Sequence, residues 1–359
     1  MNKIKCGIIG ATGMVGQRFA LLLENHPWFE VSVLAASPRS AGKAYGELME
    51  NENRWLMNKP VPESMKEMII LDASDIKAVT EKADFVFSAV DMKKDEILAL
   101  EEAYAKAECP VVSNNSVCRK FSDVPMIIPE INAKHTDVIE FQRKRLGTKR
   151  GFIAVKSNCS IQSYVPALHP LLKFGVKDVL ACTYQAISGA GKTFDTWEEM
   201  VDNVIPYIGG GEEEKSEQEP LKIWGKIVDG KIINASEISI TSQCLRVPVS
   251  DGHLAAVFVR FENKPSKEEI LEIWNNFGGL SGILPSAPKK FLNYFEEENF
   301  PQTRLHRDLE NGMAVSMGRL REDSQYDYKF ICLSHNTLRG AAGGAVLMAE
   351  LLKSKGYFD

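Results

Sequence analysis

Residues 10–16 read Gly10-Ala11-Thr12-Gly13-Met14-Val15-Gly16, and they join a short apolar run, Ile4–Ile9, to a helical pattern over 17–25. Glycine lets the backbone turn tightly and approach a ligand closely. A helix start also offers free N–H groups and the positive end of the helix dipole to a pyrophosphate. The spacing is G-x-x-G-x-x-G, not the commoner G-x-G-x-x-G. Its place between a strand and a helix predicts a dinucleotide-binding turn rather than a purely structural one.

Strand-like and helical patterns alternate beyond this turn. Apolar runs at 31–36, 68–71, 83–90 and Val111–Ser113 read as buried strands, and 93–108 reads as a helix with charged and apolar faces. Strands that alternate with helices are typical of a parallel sheet built from βαβ units. The sequence therefore predicts an α/β fold whose first domain is a Rossmann-type NADP-binding domain.

The pattern changes after about Lys156. A helix is predicted over 158–172, and longer strand-like runs with few helices between them follow it. These runs cover 179–188, 238–249, 255–261, 313–320 and 328–334. They predict an α+β catalytic and dimerisation domain with a mixed sheet. The acidic stretch 212–219 is interpreted as a solvated helical face.

Domain boundaries follow from this change of pattern. A final Gly/Ala-rich helix over 339–355 is expected to return to the first domain. We expect an NADP-binding domain of residues 1–157 and 336–359, with the catalytic and dimerisation domain at 158–335. Because the long strands of a sheet need a cover, a homodimer or homotetramer is expected.

The composition narrows the functional class. Of 359 residues, 44% are hydrophobic and 25% are charged, as in a globular protein with a proper core. A formal net charge of −5 disfavours a general nucleic-acid or anionic-membrane surface. No stretch approaches the roughly 18 apolar residues of a membrane span, and the first residues lack the features of a signal peptide. Seven scattered cysteines resemble reduced thiols rather than a disulfide framework or a metal site, so a cytoplasmic protein is predicted.

The end of the second strand indicates which dinucleotide binds. NAD-binding proteins usually place an acidic residue there to hold the ribose 2′-OH. Residues 35–43 contain no carboxylate and instead offer Ser37, Arg39 and Ser40. Hydroxyl groups and a guanidinium match a 2′-phosphate, so NADP is predicted rather than NAD. An ordinary polar loop is the alternative.

Cys159 is the candidate nucleophile. The stretch Ser157-Asn158-Cys159-Ser160 opens the helix predicted over 158–172, where the helix dipole would favour the thiolate. A cysteine in a strand-like run is more often an inert core residue. His253, beside a glycine at a turn between two strands, is the candidate group for taking the thiol proton. A plain turn histidine is the alternative for His253.

Seven short stretches, specific only in combination, carry a resemblance to a known family. They are 10–13, 113–116 with Arg119, 129–132, 157–160, Gln185 with 188–191, Arg246 with His253, and 336–343. In this order and over nearly the full length, the chain resembles aspartate-semialdehyde dehydrogenase, and most closely the branch found in archaea and fungi.

The resemblance implies an NADP-dependent oxidoreductase that interconverts L-aspartate 4-semialdehyde plus phosphate and L-4-aspartyl phosphate, in the biosynthesis of lysine, threonine and methionine. Cys159 would form a thioester, and His253 would be the general acid/base. Gln185 would orient the reacting carbonyl, and Asn158 would support the oxyanion.

The resemblance also implies a set of binding residues. Arg119 would bind phosphate, Arg246 the substrate carboxylate and Glu219 the substrate amino group. Lys222 lies three residues after Glu219, on the same helix face, and would assist at the phosphate. The expected cofactor contacts are Gly10, Thr12, Gly13, Met14, Val15, Ser37, Arg39, Ser40, Ser88, Ser188, Gly189, Gly191 and Asn336, the last four on the nicotinamide side.

Other functions share part of this pattern. A malonyl-CoA reductase on the same scaffold would also use Cys159, His253 and the NADP loop. A non-enzymatic NADP-binding redox sensor would use Cys159 as a switch, but it would need neither a base nor two arginines. An N-acetyl-glutamyl-phosphate reductase fits less well, because its cysteine typically follows Pro-Gly. The expected partners are small molecules, with no nucleic acid, membrane or metal.

Overall fold

The computed structural model describes residues 3–51 and 54–359. A seven-stranded sheet with the order β3-β2-β1-β4-β5-β7-β6 organises the first part of the chain. Its strands are β1 (Ile4–Ile9), β2 (Phe29–Ala36), β3 (Leu71–Asp72), β4 (Phe85–Ser88), β5 (Val111–Ser113), β6 (Met126–Ile127) and β7 (Ile153–Lys156). All of its pairings are parallel, which confirms the predicted parallel sheet.

Helices and turns join these strands. They are α1 (Met14–Leu23), α2 (Tyr45–Asn51), α3 (Glu63–Lys66), α4 (Ile76–Thr80), α5 (Lys94–Lys106), α6 (Pro129–Asn132) and α7 (Ile139–Leu146). The central strand β4 is buried along its whole length, because helices cover both faces of the sheet. The carboxyl ends of the parallel strands therefore point to one edge, where ligands bind in open α/β sheets.

A six-stranded sheet with the order β11-β8-β12-β15-β14-β13 organises the second part. Its strands are β8 (Val176–Gln185), β11 (Ser239–Arg246), β12 (His253–Phe261), β13 (Leu292–Phe295), β14 (Val315–Glu322) and β15 (Tyr328–Ser334), and a separate hairpin pairs β9 (Lys226–Val228) with β10 (Lys231–Ile233). Two pairings, β11 with β8 and β13 with β14, are parallel, and the other three are antiparallel. The predicted mixed sheet is confirmed.

The remaining helices are α8 (Val165–Leu168), α9 (Glu212–Ile223), α10 (Lys267–Asn276), α11 (Thr303–His306), α12 (Leu309–Gly312) and α13 (Gly343–Ser354). The final helix α13 packs into the core of the first sheet, where Leu347 and Leu352 share one hydrophobic cluster with Phe85 and Val112. Within the described part of the chain, no helix has both the length and the apolar character needed to cross a membrane.

The predicted helix over 158–172 is wrong. Residues 159–164 form a series of turns, α8 covers only Val165–Leu168, and a 3-10 helix follows at His169–Phe174. At the start of this stretch, the Asn158 Oδ1 accepts from both the backbone N–H and the hydroxyl of Ser160, each at 2.7 Å. Cys159 therefore does not lie at a helix N-terminus.

Candidate active site

A pocket of about 410 Å³ collects most of the predicted catalytic and substrate residues between the two sheets. Three of the predicted residues lie at strand ends. Gln185 ends β8, Arg246 ends the neighbouring strand β11, and His253 begins β12. Cys159 follows β7 in sequence and lines the same pocket. Strand ends hold these side chains rigidly, which suits a catalytic site.

Cys159 lines this pocket, and His253 is buried directly behind it. The thiol Sγ is 3.5 Å from the imidazole Nε2, and the backbone N–H of Ala186 donates to Nδ1 at 3.1 Å. Because Nδ1 accepts a hydrogen bond, the neutral ring carries its proton on Nε2, facing the sulfur. Burial, together with the nearby Arg246, holds the pKa of His253 well below its ordinary value. The ring is therefore neutral near pH 7.

The charge on Cys159 is set by neighbouring side chains. Burial raises the pKa of the Cys159 thiol, and Glu212 raises it further. Three cations oppose this effect on the thiol pKa: Lys156, Arg119 and Arg246. The helix dipole expected from the sequence is absent, and these cations are the groups that favour the thiolate, although burial outweighs them and the pKa of the thiol stays above its ordinary value.

Gly189 keeps Arg246 and His253 close together. Arg246 Nη1 donates to the carbonyl of Ala186 at 2.7 Å. A Cβ added at Gly189 would lie 2.9 Å from Arg246 Nη1 and 3.1 Å from His253 Nε2. Only a glycine leaves the guanidinium and the imidazole room beside each other.

Arg119 and Asn114 present unpaired polar groups to the pocket. Arg119 donates from Nη1 to Glu219 at 2.9 Å and from Nη2 to the Asn114 carbonyl at 3.0 Å. Its Nε and both side-chain polar atoms of Asn114 are buried and have no hydrogen-bond partner among the described residues. Buried polar groups are ordinarily paired, so this corner of the pocket has the donors for an anion. The sequence analysis did not single out Asn114 as a binding residue.

The acidic stretch at the start of α9 is not the solvated face predicted from sequence. Glu212 and Glu219 are only 8% and 7% exposed, because one face of α9 packs against β11. Glu219 accepts from Arg119 and, at 2.5 Å, from the backbone N–H of Asn158. Glu212 accepts from the Asn158 and Gln185 side chains at 2.9 and 3.2 Å and lines the Cys159 pocket. The carboxylate nearest the substrate space is therefore Glu212, which the sequence analysis missed.

The contacts of Lys222 differ from the phosphate-binding role that was expected for it. Its ammonium group donates to three backbone carbonyls, those of Arg119, Phe121 and Val124, at 2.6, 2.6 and 2.9 Å. All three of its N–H donors are then used. Burial lowers its pKa to about 8. Lys222 holds the loop that carries Arg119, and a direct phosphate contact would break one of these bonds.

A second cavity of about 380 Å³ lies against the glycine turn, and Gly10, Thr12, Gly13 and Ser37 are among its lining residues. Gly10 has φ +88°, and a Cβ there would lie 2.3 Å from the Ala89 carbonyl oxygen. Only glycine permits the backbone at position 10 to approach Ala89 this closely. The start of α1 is then free to bind a pyrophosphate. The residues present therefore fit a dinucleotide.

The predicted selectivity loop is only partly in this cavity. Ser37 lines it, whereas Arg39 is exposed outside the lining and Ser40 is buried. The cavity also contains Asp72, the last residue of β3, whose Oδ1 accepts from the backbone N–H and the hydroxyl of Ser74. The end of β2 alone did not reveal this carboxylate, because parallel pairing brings it from another strand.

The residues expected at the nicotinamide lie nearer Cys159. Val15, Ser188, Gly189 and Asn336 line the Cys159 pocket, so Val15 connects it to the glycine turn. Asn336 donates to the Ser188 hydroxyl at 2.9 Å. The other expected contacts do not line either cavity: Met14 opens α1, Ser88 is buried and accepts from the Asn115 side chain, and Gly191 is exposed with φ +68°.

Known proteins resemble both halves of this arrangement. The family model described as semialdehyde dehydrogenase, NAD binding domain, matches residues 5–139, and the one described as semialdehyde dehydrogenase, dimerisation domain, matches residues 168–339. An aspartate-semialdehyde dehydrogenase of Archaeoglobus fulgidus is 42% identical over 348 residues, which cover 96% of this chain and 97% of the relative. The chain belongs to the aspartate-semialdehyde dehydrogenase family. The family and its archaeal and fungal likeness were predicted correctly from the sequence.

Further relatives agree with this family assignment. The Saccharomyces cerevisiae aspartate-semialdehyde dehydrogenase is 41% identical over 364 residues, covering 97% of each chain. A crystal structure of the Candida albicans enzyme with NADP has a TM-score of 0.87 and 37% identity, covering 99% of this chain and 100% of that one. The predicted fold class, a Rossmann-type domain with a mixed-sheet dimerisation domain, is confirmed, and homo-oligomer formation is indicated.

Proposed function

We propose that the chain is an NADP-dependent aspartate-semialdehyde dehydrogenase. It interconverts L-aspartate 4-semialdehyde plus phosphate and L-4-aspartyl phosphate through a thioester on Cys159, in the biosynthesis of lysine, threonine and methionine. The observation that carries this proposal is the 3.5 Å contact between Cys159 Sγ and His253 Nε2, beside a pocket that Cys159, Arg119 and Arg246 line. A nucleophile, a hydrogen-bond donor and two anion-binding forks are the groups that this chemistry needs.

Thioester formation begins when the Cys159 thiolate attacks the aldehyde carbon. A C–S bond forms, and the carbonyl oxygen becomes an alkoxide. The neutral His253 donates its Nε2–H to this oxygen, much as a neutral histidine polarises a carbonyl in other enzymes. NADP, when bound, accepts the hydride. The alkoxide then becomes the thioester carbonyl, and phosphate displaces the thiolate to give the acyl phosphate.

His253 is thus proposed as a neutral donor, whereas the resemblance implied a general acid/base. The pKa of His253 lies well below its ordinary value, so no loss of kcat/KM near pH 6.5 should come from this group. We expect kcat/KM for the semialdehyde to rise with pH as the Cys159 thiol ionises. His253→Asn, which retains an N–H donor but does not titrate, should be slower and keep the shape of the wild-type pH profile. Disappearance of an acid limb in this variant would instead support proton transfer by His253.

Substrate binding is proposed around the two arginines. Arg246 binds the α-carboxylate, and Arg119 with Asn114 binds phosphate. Glu212 takes the place of Glu219 as the partner of the substrate amino group, because Glu212 lines the Cys159 pocket and Glu219 does not. Glu219 then positions Arg119.

NADP selectivity is proposed for Ser37 and Arg39. Arg39→Ala should raise the KM for NADP roughly fivefold, the effect of an exposed charge on a phosphate, and should change the KM for NAD little. Steady-state kinetics with both cofactors measure this difference. Arg304→Ala, which removes an exposed arginine of the second sheet domain, is the control. Equal effects of Arg39→Ala on both cofactors would place the 2′-phosphate elsewhere.

The assembled enzyme is proposed to be a cytoplasmic homodimer or homotetramer. We propose residues 1–157 and 336–359 as its NADP-binding domain and residues 158–335 as its catalytic and dimerisation domain. Val201, Val204 and Tyr207 have exposed apolar side chains, and such side chains support self-association. The segment that carries them is joined to β11 by a β-bridge between Ile205 and Arg246.

The proposed activity is tested by following NADPH formation from aspartate semialdehyde and NADP with and without inorganic phosphate. We expect sustained turnover only when both substrates are present. Preference for malonyl-CoA with NADPH would favour the reductase alternative, and the absence of turnover with either substrate would favour the redox-sensor alternative. A redox sensor would need neither arginine, and malonyl-CoA has no amino group to pair with the carboxylate of Glu212.

A further inference from the structure

Lys156 is a buried lysine in the active-site pocket that neither the resemblance nor the proposed reaction uses. It ends β7, three residues before Cys159, and its side chain is 2% exposed. It lines the same pocket of about 410 Å³ as Cys159, Arg119 and Arg246.

The ammonium group of Lys156 has spare donors. Nζ donates to the backbone carbonyl of Ser157. This is its only hydrogen bond among residues 3–51 and 54–359, and an ammonium has three N–H donors. A buried cation is costly unless an anion accompanies it. The pocket must therefore provide that anion.

The charged groups near Lys156 identify the anion. Three acids lie in this region, and each has a cationic partner: Glu219 pairs with Arg119, Glu130 with the buried Arg339, and Glu212 with Lys215. The remaining neighbours of Lys156 that bear on its charge are the cations Arg119 and Arg339 and the Cys159 sulfur. His253 is neutral and faces the sulfur through Nε2. The Cys159 thiolate is the one anion in this set without a cationic partner of its own.

We propose that the Lys156 ammonium is the counter-charge that favours the thiolate form of Cys159, which makes Lys156 a positioning residue for the nucleophile. The proposal rests on the proposed role of Cys159. It assigns to a side chain the function that the sequence analysis gave to a helix dipole.

The direction of both pKa shifts agrees with this pairing. Burial lowers the pKa of Lys156 to about 7, and Cys159 acts against that shift. Burial raises the pKa of the Cys159 thiol, and Lys156 is the first of the groups that lower it. Each charge therefore stabilises the other. Removing the lysine charge leaves the thiolate facing Glu212 and a buried environment, so the thiol should ionise at higher pH.

The test is the pH dependence of Cys159 alkylation by iodoacetamide in the full chain without ligands, with the modified cysteine located by peptide mass spectrometry. Lys156→Met and Lys156→Gln remove the charge, and Lys156→Arg retains it. We expect both uncharged variants to raise the apparent pKa of alkylation by roughly one unit, or about tenfold slower alkylation at pH 7. Lys156→Arg should alkylate with a profile close to wild type. The control, Lys120→Met, removes an exposed lysine of a neighbouring cavity and should leave the profile unchanged.

Two results would overturn the proposal. The first is an unchanged alkylation profile in Lys156→Met and Lys156→Gln. If the KM for phosphate rose in these variants while the profile stayed unchanged, Lys156 would be a phosphate ligand only, and the proposal would still be overturned. An equal shift in Lys156→Arg is the other, because the effect would come from packing and not from charge. A different result would contradict the proposed reaction itself. In that case the wild-type enzyme would keep its turnover after Cys159 is alkylated.

Discussion

Cys159→Ser should reduce turnover at least roughly 10⁴-fold while the protein still binds NADP. The thiolate is the attacking form, and a serine hydroxyl has no comparable acidity, so the C–S bond of the adduct has no efficient replacement. The glycine turn that fits the pyrophosphate belongs to a different cavity and does not contact residue 159. Steady-state NADPH formation measures the loss, and a fluorescence titration with NADPH measures binding.

Cys182→Ser is the matched control for this substitution. Cys182 is a partly exposed cysteine of β8, outside the pocket of about 410 Å³, and its replacement should leave turnover close to wild type. Turnover of Cys159→Ser above a tenth of wild type would rule out Cys159 as the nucleophile.

Arg246→Lys should lower kcat/KM for aspartate semialdehyde by roughly 10- to 100-fold. Lysine keeps the charge but loses the planar fork, and the loss of one charged hydrogen bond costs ~1.5–3 kcal/mol. Arg246 Nη1 already donates to the Ala186 carbonyl, so the remaining guanidinium nitrogens must hold the carboxylate. An ammonium group has enough N–H donors, but it lacks the planar fork that holds a carboxylate through two parallel bonds.

Arg119→Lys provides the comparison. Arg119 donates to Glu219 and to the Asn114 carbonyl, and both its Nε and the side-chain amide of Asn114 are buried without a partner in the part of the chain that the structure describes. We expect this variant to raise the KM for phosphate and to leave the KM for the semialdehyde less affected. Full kinetic profiles of both variants against both substrates decide the assignment. Similar losses on phosphate and semialdehyde in both variants would show that the two arginines have been assigned incorrectly.

Local patterns predicted most of the fold. The runs Val111–Ser113 and Tyr328–Ser334 form strands with the predicted bounds, and the helix predicted over 93–108 is α5 (Lys94–Lys106). These elements combine apolar periodicity with clear ends, so local and tertiary preferences agree. The glycine turn was likewise predictable, because its backbone geometry is local.

The helix predicted over 158–172 begins as an α-helix only at Val165. The apolar periodicity of this stretch favours a helix, but Asn158 is held by tertiary contacts: its backbone N–H donates to Glu219 and its side-chain amide donates to Glu212. Asn and Ser at a helix start are usually read as caps, and here they hold an irregular turn instead. This difference affects the proposed nucleophile, because nearby cations, and not a helix dipole, act to lower the pKa of the Cys159 thiol.

The composition of the candidate site could be predicted only in part. Cys159, Gln185, Arg246 and Arg119 lie around one pocket, as the family resemblance implies. Glu212 was missed because an acidic run at the start of a helix ordinarily faces water. Its helical spacing of seven residues from Glu219 was the available signal, since positions 212 and 219 lie on one helix face.

Lys156 and Asn114 show a second limit of sequence analysis. Lys156 ends a strand, and no local feature of the sequence marks it as buried. Asn114 lies in a polar loop, and no local feature marks its side chain as unpaired. Both properties arise when β5 and β7 pair in parallel and bring their carboxyl ends to the same pocket. Only the tertiary structure creates such environments.

The central claim is a thioester on Cys159 between hydride transfer and phosphate attack. It is tested most directly by mixing the enzyme with aspartate semialdehyde and NADP in the absence of phosphate, and following NADPH by stopped flow. We predict a rapid burst of about one NADPH per active site, an acyl adduct on Cys159 by mass spectrometry, and steady turnover once phosphate is added. No NADPH until phosphate is present, with Cys159 unmodified, would contradict the account.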